Sequence, residues 1–241
     1  MAIGTLTFNG IQSDSLGLRI SGNGVFNAPP KNYSMVQIPG RNGDLIIDND
    51  RFDNIDVTYP AIILPEDYYN NKIAIRQWLL SSKGYCRLED SYNPDEYRLA
   101  CYKNGVDITD LYFEAGGLQI TFNCRPERFL KSGETVYATT SSGVSITNQT
   151  PFASKPLIKV YGYGVVTITN SVTNDIYSFT IADQFEDVTI DCDSLICYHG
   201  TYNANSFVTI DAFPVLEPGV NTIAFPNTIS RIDITPRWWR I

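Results

Sequence analysis

The chain has 241 residues, a formal net charge of −8 and a sequence pI of about 4.6. A chain of this length folds as one large or two modest domains, each able to bury a core. Because it is acidic and has no run of lysine and arginine, it lacks the basic surface that binds a phosphate backbone or an anionic membrane. It also has no stretch of about 20 apolar residues and no basic, apolar leader. We therefore expect a protein made in a cytoplasm that binds no specific nucleic acid and does not insert into a membrane.

The residue types that usually carry chemistry form no motif. The five cysteines are odd in number and widely spaced, which fits neither a disulfide framework nor a zinc site, so we expect buried, reduced thiols. The only histidine, His199, stands outside any motif that could activate a nucleophile. Phosphate-binding, dinucleotide-binding and calcium-binding signatures do not occur. The sequence therefore predicts no catalytic residue, no cofactor, no metal and no enzyme.

The first half of the chain is mostly short runs of Val, Ile, Thr, Tyr and Phe between turn residues, which is typical of β-strands. Residues 55–63 alternate apolar and polar side chains, and Pro60 among them predicts a strand near a sheet edge. We expect later strands to break at Gly116 and Gly117.

One segment, residues 68–82, has helical rather than β spacing. Acidic residues precede it, which complements the helix dipole, and Gly84 follows it, which predicts a left-handed C-cap. Trp78 and Leu79 are expected to be core residues. The sequence therefore predicts one α-helix in an otherwise β-rich N-terminal half.

The second half predicts a β-sandwich. Residues 131–151 are rich in Ser, Thr and Gly and are typical of a connection with one edge strand. Apolar runs then arrive about every ten residues, with turn residues between them and no helical period. The runs are residues 164–170, 176–182, 187–192, 195–200, 206–212, 221–226 and 230–236.

Three aromatic side chains in this half form a candidate binding surface. Tyr198, Tyr202 and Trp238, if exposed, could stack on sugar rings. Trp238 and Trp239 are adjacent in a predicted strand, so they point to opposite faces and only one needs to be core. A carbohydrate-binding module is therefore the alternative function to be weighed.

Five segments in a fixed order resemble the siphophage distal tail protein (Dit) family. They run through both halves of the chain: IPGRNGDL, IRQWLLSSKGYCRLEDSYNPDEYRLA, ITFNCRPERF, EPGVNTI and ITPRWW. The resemblance implies a mainly β protein with two domains. Residues 1–131 would form a ring-forming, tail-tube-like domain, a β-sandwich or barrel with one α-helix, and residues 132–241 a galectin-like β-sandwich.

The same resemblance implies a structural role at the virion tail tip. Six copies would form a ring, singly or as two rings back to back, joining the tail-tube protein to the tail-tip lysin or spike protein and, in some relatives, carrying receptor-binding proteins. Larger relatives carry inserted carbohydrate-binding modules, for which this chain is too short. Host cell-surface adhesion through sugar binding is therefore the alternative rather than the main prediction.

The segment Val36 to Ile47 offers a candidate subunit interface. Its Asn42-Gly43 pair between apolar runs predicts a two-residue type I′ hairpin turn that presents Arg41. The arginine could bridge to a carboxylate of a neighbouring subunit. Alternatively, it could pair within the chain with Asp44, and such an exposed ion pair would stabilise the fold by under about 1 kcal/mol. The candidate interface residues are Gly40, Arg41, Asn42, Gly43 and Asp44.

Overall fold

The computed structural model describes residues 3–22, 25–111 and 115–241. The chain divides into two compact units: Met1–Arg128 with Ile241, and Phe129–Arg240. The boundary expected from the sequence lies after residue 131. In the described residues, no helix has the length and apolar character needed to span a bilayer.

The described residues of the first unit form eleven strands and one α-helix, α1, which is Tyr68–Leu80. The last strand, β11, continues into the second unit. The strands are β1 (Ile3–Gly4), β2 (Leu6–Phe8), β3 (Ile11–Gln12), β4 (Leu18–Ser21), β5 (Lys31–Val36), β6 (Leu45–Phe52), β7 (Ile55–Ile63), β8 (Cys86–Asp90), β9 (Glu96–Cys101), β10 (Thr109–Leu111) and β11 (Ala115–Leu130).

The second unit is built from strands and short 3₁₀ turns. The strands are β12 (Tyr137–Thr139), β13 (Val144–Asn148), β14 (Leu157–Gly162), β15 (Gly164–Asn170), β16 (Ile176–Ile181), β17 (Asp187–Asp191), β18 (Ile196–His199), β19 (Tyr202–Asn203), β20 (Val208–Ile210), β21 (Gly219–Ala224), β22 (Ile229–Thr235) and β23 (Trp239–Arg240). The predicted mainly β fold with a single helix is confirmed.

The first unit is organised by a sheet in which β7 is central. The strand order is β1-β4-β7-β11-β9-β8-β2-β3, with β10 also paired to β11. The edge position predicted for β7 is therefore wrong. Pro60 is nevertheless tolerated because the β4–β7 ladder ends at the Ile20–Ala61 pair, so its missing N–H interrupts no pairing with β4. The break predicted at Gly116 and Gly117 is also wrong, since β11 runs through both and pairs them with β7.

Helix α1 ends two residues earlier than the sequence predicts, and without a glycine cap. Its C-cap is Ser81, in the right-handed region, whereas Gly84 takes its positive φ (67°) beyond the helix. The hydroxyls of Ser81 and Ser82 donate to the carbonyl oxygens of Trp78 and Leu79, which satisfies acceptors that a glycine cap would otherwise bind.

The core of the first unit joins α1 to the sheet. Trp78 and Leu79 are buried, as predicted, and the Trp78 indole donates to the Phe8 carbonyl oxygen at 3.0 Å. Phe8 packs on Phe122 of β11 with ring centroids 4.7 Å apart. The hydroxyl of Tyr59 donates to Asp90 at 3.0 Å, and burial raises the pKa of this tyrosine well above its ordinary value.

The second unit consists of two antiparallel sheets around one core. One has the order β12-β22-β14-β17-β18-β19 and the other β13-β21-β15-β16-β20. All seven predicted runs contain strands. The predicted connection holds two edge strands, β12 and β13, rather than one, because each sheet takes a short strand from it. β23 pairs with β11, and the Leu130 N–H donates to the Trp238 carbonyl oxygen at 2.8 Å.

Candidate functional site

Strands β5 and β6 form a hairpin that pairs with no other described strand. Met35 faces Ile46 across the hairpin, and Val36 faces Leu45. Residues directly opposite each other share a face and successive residues alternate, so these pairs place apolar side chains on both faces. Both faces are open, and Met35 and Ile46 are each 59% exposed. The exposed large apolar residues of the hairpin and its tip are Tyr33, Met35, Val36, Ile38, Leu45, Ile46 and Ile47.

The tip of the hairpin is the loop between Val36 and Leu45, which is longer than the predicted two-residue turn. Its tight turn is made by Pro39-Gly40: the Arg41 N–H donates to the Ile38 carbonyl oxygen at 3.1 Å, and Gly40 has a φ of 79°. This is the arrangement of a type II turn, which favours Pro and then Gly at its centre.

The predicted type I′ turn at Asn42-Gly43 is wrong. Gly43 has a positive φ, but Asn42 does not, and type I′ needs both. The fixed φ of Pro39 and the freedom of Gly40 already reverse the chain three residues earlier, so no second reversal is needed at Asn42-Gly43.

Arg41 and Asp44 are both exposed on this tip. Among the described residues neither side chain has a hydrogen bond or an ion pair, so the predicted intrachain pair does not form in this structure. A guanidinium without a partner on a projecting loop is available to a carboxylate of another molecule. Its role in an interface remains a prediction.

Polar side chains fix the base of the hairpin. The Asn32 amide donates to both carboxylate oxygens of Asp53, at 2.9 and 3.1 Å. Lys31 pairs with Asp48, and this hydrogen bond raises the pKa of the lysine and lowers that of the aspartate. The Asp53 N–H also donates to the Pro30 carbonyl oxygen at 3.0 Å, which joins the two ends of the hairpin.

Two buried arginines hold the segment that leads into the hairpin. The Arg128 guanidinium donates to the carbonyl oxygens of Val25 and Asn27, each at 2.8 Å, and lies 3.5 Å from the Glu96 carboxylate. Arg98 donates to the Asn27 side-chain oxygen at 3.0 Å. Burial, followed by the charge of Arg128, lowers the pKa of Arg98. The hairpin therefore leaves the unit from a fixed root.

These root residues were missed by the sequence reasoning. In β9, Glu96 and Arg98 have the same parity as the buried Ala100, and all three are buried. The signal that could have found them is the charged residues at inward-facing positions of an alternating strand. Because burying a charge is costly unless it has a partner, such residues indicate buried polar contacts with another segment.

The three aromatic residues predicted as a sugar-stacking group do not come together. Trp238 is only 6% exposed and belongs to the core of the second unit, so its predicted role as a contact is wrong. Tyr198 faces Asn203, whereas Tyr202 faces His199, so the two tyrosines lie on opposite faces of their sheet. Trp239 stacks on Phe152 with centroids 4.4 Å apart. No single surface presents all of them.

The remaining candidates for chemistry are held in packing. His199 stacks on Phe185 at 5.0 Å and its Nδ1 hydrogen-bonds the Asp187 carbonyl oxygen at 2.9 Å. The five cysteines are free, with Cys124, Cys192 and Cys197 buried, and burial raises the pKa of Cys124 and of Cys192 to about 12. In the described part of the chain, no three His, Cys, Asp or Glu side chains are grouped so that they could hold a metal.

Comparisons with known proteins agree with this architecture. Residues 13–124, most of the first unit, match the family described as phage tail protein RIFT-related domain. Among solved structures, the chain is similar to Dit of phage SPP1, described as a paradigm of the hub adsorption apparatus in phages that infect Gram-positive bacteria. The TM-score is 0.72 at 13% identity, with 100% of each chain covered. No curated protein sequence matches the chain.

Proposed function

We propose that this chain, a phage tail protein, forms a hexameric hub at the tail tip. The proposal proceeds from two findings: the first unit matches the RIFT-related domain family, and the whole chain has the fold of a siphophage distal tail protein. The hub would join the tail-tube protein to the tail-tip lysin or spike protein. The first unit would make the ring, and the second unit, a galectin-like sandwich, would be available to a receptor-binding protein.

The observation that carries the proposal is the uncovered β5–β6 hairpin. Its apolar side chains are exposed on both faces, although a short two-stranded hairpin is at best marginally stable in water without a surface to pack on. Large exposed apolar patches are characteristic of protein interfaces. Covering this hairpin with a neighbouring copy would remove both faces from water and give it the packing that its own unit does not provide.

The fixed root supports the same role. An arm that reaches a neighbouring molecule binds more tightly when little conformational entropy is lost on contact. The Arg128 and Arg98 hydrogen bonds to residues 25 and 27 restrict the segment that leads into the β5–β6 hairpin. The hairpin is therefore pre-organised for docking.

Charge sets a condition on assembly. Six copies of a chain of charge −8 would carry 6 × −8 = −48, and this repulsion must be offset by buried area and by ion pairs between copies. Arg41, which lies within the candidate interface of Gly40 to Asp44, is suited to such a pair. An acidic ring would also not retain DNA that passes through it.

The proposed role requires no catalysis. The family of the first unit and the structural neighbour are described as phage tail proteins, not as enzymes. We infer that this chain likewise acts as a structural component, without catalytic residues, cofactor or metal.

The test is the particle that the purified full chain forms, alone and with its tail-tube partner. Size-exclusion chromatography with light scattering should give a mass six or twelve times that of the 27.0 kDa chain, and negative-stain images should show rings with six-fold symmetry. A strict monomer under both conditions would contradict the hub. If that monomer also bound cell-wall glycan, the carbohydrate-binding alternative would replace it.

A further inference from the structure

A ring of identical subunits needs two different surfaces on each copy. Such head-to-tail contacts are heterologous, so a patch on one copy must fit a different patch on the next. The hairpin supplies a projecting surface. If the chain forms a ring, as proposed above, a concave surface on the first unit has to receive it.

The first unit contains a cleft of about 630 Å³ that suits this purpose. Its floor is the outward side of three adjacent strands, β4, β7 and β11. The pairing register aligns Arg19, Ile62 and Gly117 in one row across these strands. Gly117 has no side chain, so the floor is low over β11, and Pro60 and Ile62 make it apolar over β7. Ile62 is 45% exposed there.

The segment that follows β9 forms one wall of the cleft. The Tyr102 hydroxyl donates to the Gly105 carbonyl oxygen at 2.8 Å, which holds this segment in place. Val106 and Ile108 pack against the core of the unit, and Asp107 between them lines the cleft and is exposed. Among the described residues, the Asp107 carboxylate has no hydrogen bond or ion pair. Arg19, at the opposite side, is already paired with Asp14.

The tip of the hairpin complements this cleft in both shape and charge. Ile38 and Pro39 form a compact apolar turn, and Arg41 is the only basic residue between Val36 and Leu45. The cleft offers apolar contacts at Pro60 and Ile62, and a carboxylate without a partner in its wall. Both isolated charges would gain a partner when tip and cleft meet.

We propose that the hairpin tip of one copy docks in the β4–β7–β11 cleft of the next copy, with Arg41 paired to Asp107. The occupant is a second copy of this chain because both complementary surfaces lie on the same unit, and their repetition around a ring satisfies every hairpin and every cleft. Each interface between neighbouring subunits then contains one ion pair at the edge of an apolar contact surface.

The test is a charge swap in the full chain. Arg41→Asp and Asp107→Arg should each raise the concentration needed for half-maximal ring formation by about tenfold or more, because each places like charges together. The double variant, Arg41→Asp with Asp107→Arg, should return to within about threefold of wild type, since the pair is restored in reverse. Sedimentation velocity measures the three midpoints.

Matched charge reversals elsewhere in the first unit serve as controls. Lys83→Asp and Asp95→Arg change exposed residues outside the cleft and the hairpin, and each should assemble as wild type does. All variants should keep the wild-type melting temperature under conditions in which they are monomeric, because the substituted side chains are exposed.

The outcomes separate this contact from the hub itself. Rings that form normally with either single variant, or a double variant no better than the singles, would overturn the Arg41–Asp107 contact and leave the hub intact. A wild-type chain that stays monomeric at every concentration and with its tail-tube partner would overturn both.

Discussion

Two hairpins of this chain have a similar share of apolar residues, but these residues are buried in one hairpin and exposed in the other. In β15–β16, Val166 faces Phe179 and both side chains are buried in the core of the second unit. In β5–β6, Met35 faces Ile46 and both are exposed. The first hairpin has two further strands beside it, β21 and β20, whereas the second is a sheet by itself.

The difference shows that an apolar pattern alone does not tell where a strand is buried. Alternation in β15–β16 separates one buried face from one exposed face, which is what a sandwich strand needs. In β5–β6 apolar residues occupy both faces, so a single neighbouring sheet within the chain could not bury them all. A hairpin of the second kind points to a partner outside its own chain.

The largest expected effect is at the buried hairpin. Phe179→Ala removes a side chain that is 1% exposed, and should lower the free energy of unfolding of the second unit by about 3–5 kcal/mol. Hydrogen exchange at rising urea concentration, followed on peptides of each unit, measures the change. Val165→Ala, at an exposed position of the same hairpin, is the matched control and should cost far less. Equal losses would mean that this hairpin is not anchored by its inner face.

A smaller effect is expected at the root of the exposed hairpin. Arg128→Lys keeps the charge but cannot reproduce the planar fork that reaches two carbonyl oxygens and Glu96. We expect a loss of about 1–3 kcal/mol in the first unit and faster hydrogen exchange in residues 25–36, together with weaker ring assembly. Arg76→Lys on the exposed side of α1 is the control. Unchanged exchange in residues 25–36 would show that Arg128 does not fix the root.

The smallest effect on folding is expected on the exposed hairpin itself. Ile46→Ser replaces a side chain that its own unit leaves 59% exposed, so the free energy of unfolding of the monomer should change by under about 0.5 kcal/mol. Ring assembly should nevertheless weaken at least about tenfold if this face is buried between copies. Ile176→Ser, at a 65% exposed position of β16, is the matched control and should affect neither. Normal assembly by the Ile46 variant would exclude this face from the interface.

Much of the fold could be predicted from residue patterns because the second unit follows a simple rule. Its strands alternate, are short and are separated by turn residues, so each of the seven predicted runs contains a strand. The helix was also predictable from its spacing, although its end was not. Ser81 and Ser82 can bind the last carbonyl oxygens as well as a glycine cap does, and nothing local distinguishes the two outcomes.

The errors arise where distant segments decide the outcome. Pro60 suggested an edge, but whether β4 pairs at this position depends on where β4 ends in space. Trp238 and Trp239 could not be told apart, because which of two adjacent residues faces the core depends on the sheet to which the strand adds. Arg128 hydrogen-bonds residues about a hundred positions earlier in the chain, and a local sequence pattern carries no information about contacts between such distant segments.

The short junction between β6 and β7 has a mechanical consequence. Only Asp53 and Asn54 separate the hairpin from the central strand of the first unit, and β7 is hydrogen-bonded on both sides. A pull on the hairpin along the strand axis therefore loads two ladders in shear, in which many hydrogen bonds resist together instead of opening one after another. If neighbouring copies hold each other by this hairpin, tension on one subunit is transmitted directly to the sheet of its own first unit. The hairpin is then a stiff connection between copies rather than a flexible one.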